Sequence, residues 1–282
     1  MGLIVDAHHH FWDRSMEGYD HSWLENDGLE KICRNYAPQD LQPLIEQAGI
    51  DRTVFVQTQH SVEETRWVLS LAEQHPWIAG VVGWVDLTSP ECESQVQELK
   101  DHPKFVGVRH LVHDEPDDGF IVREDVQRGL SILEKYDVAY DLLFFVQHLP
   151  HAATVARNFP NLRLVIDHLA KPKIKAGIID GWREDLIEAA QYPNVYCKLS
   201  GMVTEADWEN WTASDLRPYV DLALEHFTPD RCMFGSDWPV SDLASSYQQL
   251  FDALISCIGG VSESERAKIL GLTAIDFYGL PV

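Results

Sequence analysis

Apolar and β-branched residues gather in eight short runs along the chain: LIVDAH (3–8), TVFVQT (53–58), IAGVVGWV (78–85), FVGVRHL (105–111), VAYDLLFF (138–145), LRLVIDH (162–168), VYCKLS (195–200) and CMFGSD (232–237). Each has the length of a strand. Their nearly continuous apolar character predicts burial on both faces, as in parallel strands covered by helices. Between them the apolar spacing lengthens to three and four residues, so EETRWVLSLAEQ (63–74), EDVQRGLSILEKY (124–136) and REDLIEAAQY (183–192) read as amphipathic helices. Strand and helix alternate throughout. Eight such units in 282 residues close naturally into one (β/α)8 TIM barrel of the α/β class, expected to span residues 1–282 as a single domain.

The first interval departs from this rhythm, running from about Phe11 to Asp51. A helix at QDLQPLIEQAG (39–49) leaves an extended loop at about 12–38 over the exit of the first strand. Loops that long are usually functional or disordered, and Trp12, Trp23 and Tyr36 argue against disorder. The tail from Val261, SESERAKILGLTAIDFYG, reads as a final helix closing the outer layer.

Composition adds limits rather than an activity. The chain carries 45 acidic against 22 basic residues, a formal net charge of -23. Such a surface repels phosphate backbones and anionic lipid, so neither nucleic acid nor a membrane is an expected partner. No apolar run approaches the roughly 20 residues of a membrane span. The start, MGLIVDAHHH, lacks the basic region and long apolar core of a signal peptide, so mature structure is expected from the first residues. Cys33, Cys92, Cys197, Cys232 and Cys257 are odd in number with no CxxC pair, which points to a reduced, cytoplasmic protein. A homo-oligomer is compatible with all of this.

Active sites of such barrels lie at the carboxyl ends of the strands. Eight of the 13 histidines fall there or just beyond: His8, His9, His10, His60, His110, His113, His148 and His168. In DAHHHFWD, alternation places Asp6, His8 and His10 on one face and His9 on the other. With that face inward, two imidazoles converge above a carboxylate. The pattern suits metal ligation, with Asp6 orienting the ligands, or a metal-free pair of donors polarising a carbonyl. His168 ends strand six, with Asp167 facing the opposite way, and Asp237 ends strand eight beside strand one. An Asp at a strand exit can also cap a helix. Together, however, these strand ends bring imidazoles and a carboxylate to one cavity, the composition of a hydrolytic site.

Trp12, Trp23, Trp84 and Trp238 follow strands one, three and eight, where their faces would stack on a sugar unless they serve loop packing. Arg109 at the end of strand four and His113 just beyond complete the expected substrate-binding set; Arg109 has Asp114 or Glu115 as its competing partners. Lys171 and Lys198 read as structural ion-pair residues.

HxH on strand one, His on strand six and Asp on strand eight resemble the amidohydrolase superfamily. More narrowly, DAHHHFWD, GVRHLVHDEPD (107–117), VIDHLAKP and FGSDWPV resemble the amidohydrolase 2 branch that includes L-fuconolactonase, L-rhamnonolactonase and pyrone-dicarboxylate lactonase. The resemblance runs from Asp6 to Pro239. It implies a hydrolase opening a sugar-derived lactone by water attack on the ester carbonyl. His8 and His10 would polarise the carbonyl directly or through a metal, Asp237 would take the water proton, and His168 would stabilise the oxyanion.

Metal-dependent members usually carry a further His, or a carboxylated Lys bridging two metals, on the middle strands. Strand five has no His until His148, several residues into its loop. The expectation is therefore one divalent ion, zinc first, on His8, His10 and Asp237, helped by His168, or a metal-independent site. An alternative function is a metal-dependent decarboxylase of an aromatic or unsaturated carboxylic acid, which would need that strand-five His. A non-catalytic sugar-binding barrel would have lost one of His8, His10, His168 or Asp237, and all four are present. The negative charge and scarce clustered arginines disfavour a dicarboxylate, so the expected substrate is a neutral polyol lactone of the L-fuconolactone or L-rhamnonolactone type, which places the chain in carbohydrate catabolism.

Overall fold

The computed structural model describes residues 2–16 and 19–281. Eight parallel strands pair in chain order: β1 Val5–His9, β2 Arg52–Val56, β3 Ile78–Gly83, β4 Phe105–His110, β5 Ala139–Leu142, β6 Leu164–Ile166, β7 Val195–Leu199 and β8 Cys232–Phe234. Beyond β8 the chain returns to β1: Asp237 N–H donates to the His8 carbonyl at 2.8 Å, and His10 N–H donates to the Trp238 carbonyl at 2.7 Å. The sheet thus forms a nearly closed (β/α)8 barrel. All eight expected strands are present, but β5, β6 and β8 stop several residues before their apolar runs end. The residues just past these three strands leave the pleat and build the cavity floor.

Helices α1 Pro38–Ala48, α2 Val62–Gln74, α3 Cys92–Lys100, α4 Glu124–Lys135, α5 Pro150–Asn158, α6 Trp182–Ala190, α7 Met202–Glu205, α8 Ala213–Phe227 and α9 Tyr247–Cys257 fill the connections. Their starts obey capping chemistry: the Ser61 hydroxyl accepts from Glu64 N–H, and Ser246 does the same for Gln249. Their apolar stripes pack on the outward strand residues, such as Phe55 and Val108, in one large core.

A second core lies inside the barrel. Val5, Ala7, Val54, Val56, Val82, Val106 and Met233 meet there, joined by Ala274, Phe277, Tyr278 and Leu280 from the tail. The tail, α10 Glu263–Ala267, a π-helical turn at Lys268–Leu272 and α11 Thr273–Tyr278, was expected only to complete the outer layer. Its end instead plugs the amino-terminal mouth. Apolar side chains spaced at three and four residues bury equally well on a sheet's outer face or in a barrel's open end, so periodicity cannot separate the two.

The long first loop is ordered where described; residues 17 and 18 lie outside the described residues. Trp12 and Tyr36 exchange backbone hydrogen bonds of 3.1 and 2.9 Å, pinning the loop's two ends together. Among the described residues no helix is long and apolar enough to cross a membrane. The five cysteines are unpaired.

Candidate active site

Strand β1 does not alternate simply. Its pairing with β2 slips between Asp6 and His9, a bulge that lets Ala7 and His8 both face inward. Asp6 turns outward, where it accepts from Tyr247 hydroxyl on α9 at 2.8 Å and from Ser236 N–H at 2.8 Å. The expectation that Asp6 shares a face with His8 and His10 and orients them is therefore corrected: Asp6 ties β1 to the turn after β8. His10 is oriented by Val56, whose carbonyl lies 2.7 Å from Nδ1. His8 Nδ1 faces Lys198 Nζ at 3.2 Å and Asp167 Oδ1 at 3.3 Å.

After β6 the chain enters a left-handed turn, with φ of 53°, 56°, 59° and 53° at His168, Leu169, Ala170 and Lys171. Non-glycine residues rarely adopt this conformation, which costs roughly 1–2 kcal/mol each. The turn breaks alternation, so Asp167 and His168 both reach the site instead of facing opposite ways. His168 Nδ1 meets Ser200 Oγ at 2.8 Å, and Gly201 behind the ring leaves room that a Cβ, 2.5 Å from Nδ1, would take away. Asp237 is likewise left-handed, with φ of 56°.

These devices bring His8, His10, His168 and Asp237 together. His8 Nε2 is 3.2 Å from His10 Nε2; Asp237 Oδ1 lies 3.3 Å from His10, 3.7 Å from His168 and 3.9 Å from His8, each measured to Nε2. Burial holds His8 well below the usual imidazole range, His10 below it, and His168 at about 4. Burial alone would raise the Asp237 carboxyl, but His168 and His10 outweigh it and hold it below its usual range. At neutral pH the cluster is thus neutral imidazoles around an ionised carboxylate.

His10 gives its Nδ1–H to Val56, so a lone pair on Nε2 faces the Asp237 carboxylate. Two acceptors at 3.3 Å call for a positive charge or a shared proton between them. The donor set suits one divalent ion, and His168 belongs to it: His8, His168 and Asp237 offer ligand atoms all within 4.8 Å of one another.

A cleft of about 680 Å³ opens above, with His10, His168, Asp237 and Arg109 toward its floor and Trp12, Trp23, His60, His113, Glu115 and Lys171 among its walls. His8 lies beneath, fully buried. Trp12 is only 1% exposed, wedged edge-on against Trp23 and Tyr36, so Trp23 presents the freer ring. Two expected substrate contacts are misplaced. Trp238 is buried against Phe11 and Tyr36, because the chain folds back onto β1 directly after Asp237. Trp84 lies behind the wall, its Nε1–H given to His110 Nδ1 at 3.1 Å.

Arg109 points inward. It donates to Asp167 at 3.2 Å and to the Gln57 carbonyl, not to Asp114 or Glu115. Lys198 is the buried ion-pair residue its strand suggested, 2.5 Å from Asp141 and 3.0 Å from Asp167. Lys171 lies instead over the Phe145 ring, 5.3 Å from its centre. Sequence reasoning missed Asp167 as a site residue; its signal was a carboxylate beside His168 in an otherwise apolar strand. It also missed Thr58, Gln59 and Asp20 along the wall, ordinary loop residues with no distinguishing pattern.

A second group, His60, His110 and Glu115, lies in the wall. His110 accepts from Trp84 on Nδ1, so its Nε2–H goes to Glu115 at 2.7 Å, while His60 Nε2 accepts from Leu111 N–H at 3.1 Å. The lone pairs of both imidazoles are already used.

A nearly closed barrel with three imidazoles and an ionised carboxylate converging from strands one, six and eight has the architecture of a hydrolase of the barrel class. The chain matches the model of the amidohydrolase family over residues 5–280 and belongs to that family. It is 38% identical to an L-fucono-1,5-lactonase of Burkholderia ambifaria over 99% of this chain and 96% of that one. An amidohydrolase from Burkholderia multivorans, solved with bound zinc, superposes with a TM-score of 0.93 at 36% identity, covering 99% of this chain and 100% of the other. The 5-carboxyvanillate decarboxylase of Novosphingobium aromaticivorans shares 14% identity, with a TM-score of 0.70 over 99% of this chain and 96% of the other, and shows the fold alone.

Proposed function

We propose that the protein hydrolyses a neutral sugar lactone of the L-fucono-1,5-lactone type. The observation that carries this reading is the Asp237 carboxylate facing three imidazole nitrogens at the floor of an open cleft. The lactone carbonyl would sit over His10 and His168, with its hydroxyls toward Trp23, Gln59, His113 and Glu115. Asp237 takes a proton from the attacking water as the new C–O bond forms. With Nε2 protonated, as in the metal-free site, His168 donates to the oxygen on which negative charge gathers, and the Arg109 guanidinium beneath stabilises it further. When the tetrahedral intermediate collapses, the ring C–O bond breaks, and the departing alkoxide takes the proton held by Asp237 or one from solvent.

His8, His10, His168 and Asp237 would hold a zinc ion, with His168 a full ligand beside the three read from sequence. Such an ion, when bound, polarises the carbonyl and acidifies water. The 38% identity to a named L-fucono-1,5-lactonase supports the lactone class. No strand-five histidine is available for the decarboxylase alternative, since β5 ends in Leu142 followed by Leu143 and Phe144.

The test is a panel of sugar lactones followed by acid release with a pH indicator, with and without chelator. L-Fucono-1,5-lactone or a close epimer should be opened fastest. Failure to open any aldonolactone, with or without added zinc, would sink the reading.

A further inference from the structure

Glu115 follows β4 on the cleft wall, with its side chain 23% exposed. Among the described residues no lysine or arginine pairs with it, and its carboxylate accepts one hydrogen bond, at Oε1 from His110 Nε2 at 2.7 Å. A glutamate on a surface ordinarily samples many rotamers, and fixing it costs entropy. This one is held.

What holds it is a chain of donors whose direction cannot reverse. An indole N–H only donates. Trp84 Nε1–H, 3.1 Å from His110 Nδ1, occupies the lone pair of that nitrogen, so a neutral ring carries its proton on Nε2, toward Glu115. Burial holds His110 at about 4, which keeps the ring neutral at neutral pH. The same imidazole stacks on two other rings, His60 with centroids 3.9 Å apart and Phe120 with centroids 4.5 Å apart, at interplanar angles of 24° and 17°. Rotating it would break both stacks.

We propose that Glu115 is the specificity-determining residue of the cleft: its Oε2 accepts from a ring hydroxyl of the lactone and repels a carboxylate at the same position. Trp84 and His110 do not line the cleft and are positioning residues that act through Glu115. A carboxylate oxygen fixed in advance accepts a hydroxyl proton with little further loss of freedom, and a hydrogen bond to a charged group is among the stronger ones. Two carboxylates brought together there would repel instead. The substrate class so defined is a neutral polyhydroxylated lactone, with carboxylated lactones refused. The inference rests on the lactone reading of the cleft and adds the residue that makes the choice.

The test is calorimetry on the protein as isolated with two unreactive ring analogues, a neutral hydroxylated lactam and its carboxylated counterpart. Wild type should favour the neutral lactam. Glu115→Gln should weaken the neutral lactam about tenfold and tighten the carboxylated one several-fold, shifts of opposite sign that a merely structural role would not produce. Trp84→Phe, which removes the N–H and keeps a ring, should shift each affinity in the same direction as Glu115→Gln by a smaller factor. Unchanged affinities in Glu115→Gln, parallel losses of both lactams, or a wild type that does not favour the neutral one would overturn the assignment. Should Glu115→Gln not fold, Trp84→Phe decides by the same signs. Neither lactam is hydrolysed, so a protein that opens no lactone yet shows the opposed shifts keeps the hydroxyl subsite and loses only the reaction.

Discussion

Two histidine–carboxylate clusters stand at the carboxyl ends of different strands, one built from β1, β6 and β8 and the other from β2 and β4, and they differ in what their second nitrogens do. At the inner cluster, His10 commits Nδ1 to a backbone carbonyl and aims its lone pair at Asp237. At the outer cluster, His110 spends Nδ1 on Trp84 and aims a proton at Glu115, while His60 stacks on it with ring centroids 3.9 Å apart. The residue types match, yet one cluster converges acceptors and the other is already satisfied. A histidine's chemistry is set by the partner of the nitrogen that does not face the site.

The sharpest way to break this contrast is Asp237→Asn, nearly isosteric, which should lower turnover by about two to four orders of magnitude with the fold intact. Glu115→Gln in the outer cluster should change it only a few-fold. Retention of more than about a tenth of the activity in Asp237→Asn would remove that residue from the base role.

Gly201→Ala should come next. Its Cβ would press within 2.5 Å of His168 Nδ1 at a backbone φ of 59°, and displacing a catalytic ring by about 1 Å costs on the order of a hundredfold in kcat. An unchanged kcat would mean that His168 need not hold its observed position.

Zinc titration of chelator-treated protein should find one ion per chain. His10→Ala should weaken it by about 10–100-fold and His110→Ala leave it unchanged. A second tightly held ion abolished by His110→Ala would show that the outer cluster opens after all.

Acid should expose the burial both clusters share. His110 and His168 are held at about 4 by burial, so between the ordinary imidazole range and pH 4 the unfolded chain binds protons that the folded one refuses. Stability therefore rises with pH across that window. Urea midpoints of metal-free protein should fall steadily from about pH 6.5 to 4, each buried ring contributing up to about 3 kcal/mol. A flat profile would contradict neutral, buried imidazoles.

The smallest effect concerns the cleft walls. Trp23→Ala should raise KM several-fold for a sugar lactone and little for an unsubstituted lactone, since only the former has a hydroxyl-bearing ring to contact. Trp12→Ala should mainly lower stability, because that ring is already packed. Equal losses on both lactones in Trp23→Ala would remove the aromatic wall from substrate selection.

The range of the forces involved sets how much of this is legible in the chain. Eight apolar runs separated by helical periods point to parallel strands covered by helices, because runs apolar on both faces need both faces buried, and eight such units suit a closed barrel. Barrel closure then brings strand one beside strand eight, so His8, His10 and Asp237 could be read as neighbours from order alone. His168 could be read as a helper to those ligands in the same way, although the left-handed turn that places it could not.

What the chain pattern could not carry was everything that depends on leaving the pleat. The bulge that turns Asp6 out, the left-handed turn that brings Asp167 and His168 in together, and the return of Trp238 onto β1 all break a period of two at single residues. Local sequence has no means of announcing them. Amino-acid order by itself determined the barrel and the strand ends that carry the chemistry, since burial acts on every residue of a run at once. Tertiary structure alone decided which nitrogen of each histidine faces the site, because that depends on a hydrogen-bond partner, Val56 for His10, Ser200 for His168 or Trp84 for His110, supplied from a distant part of the chain.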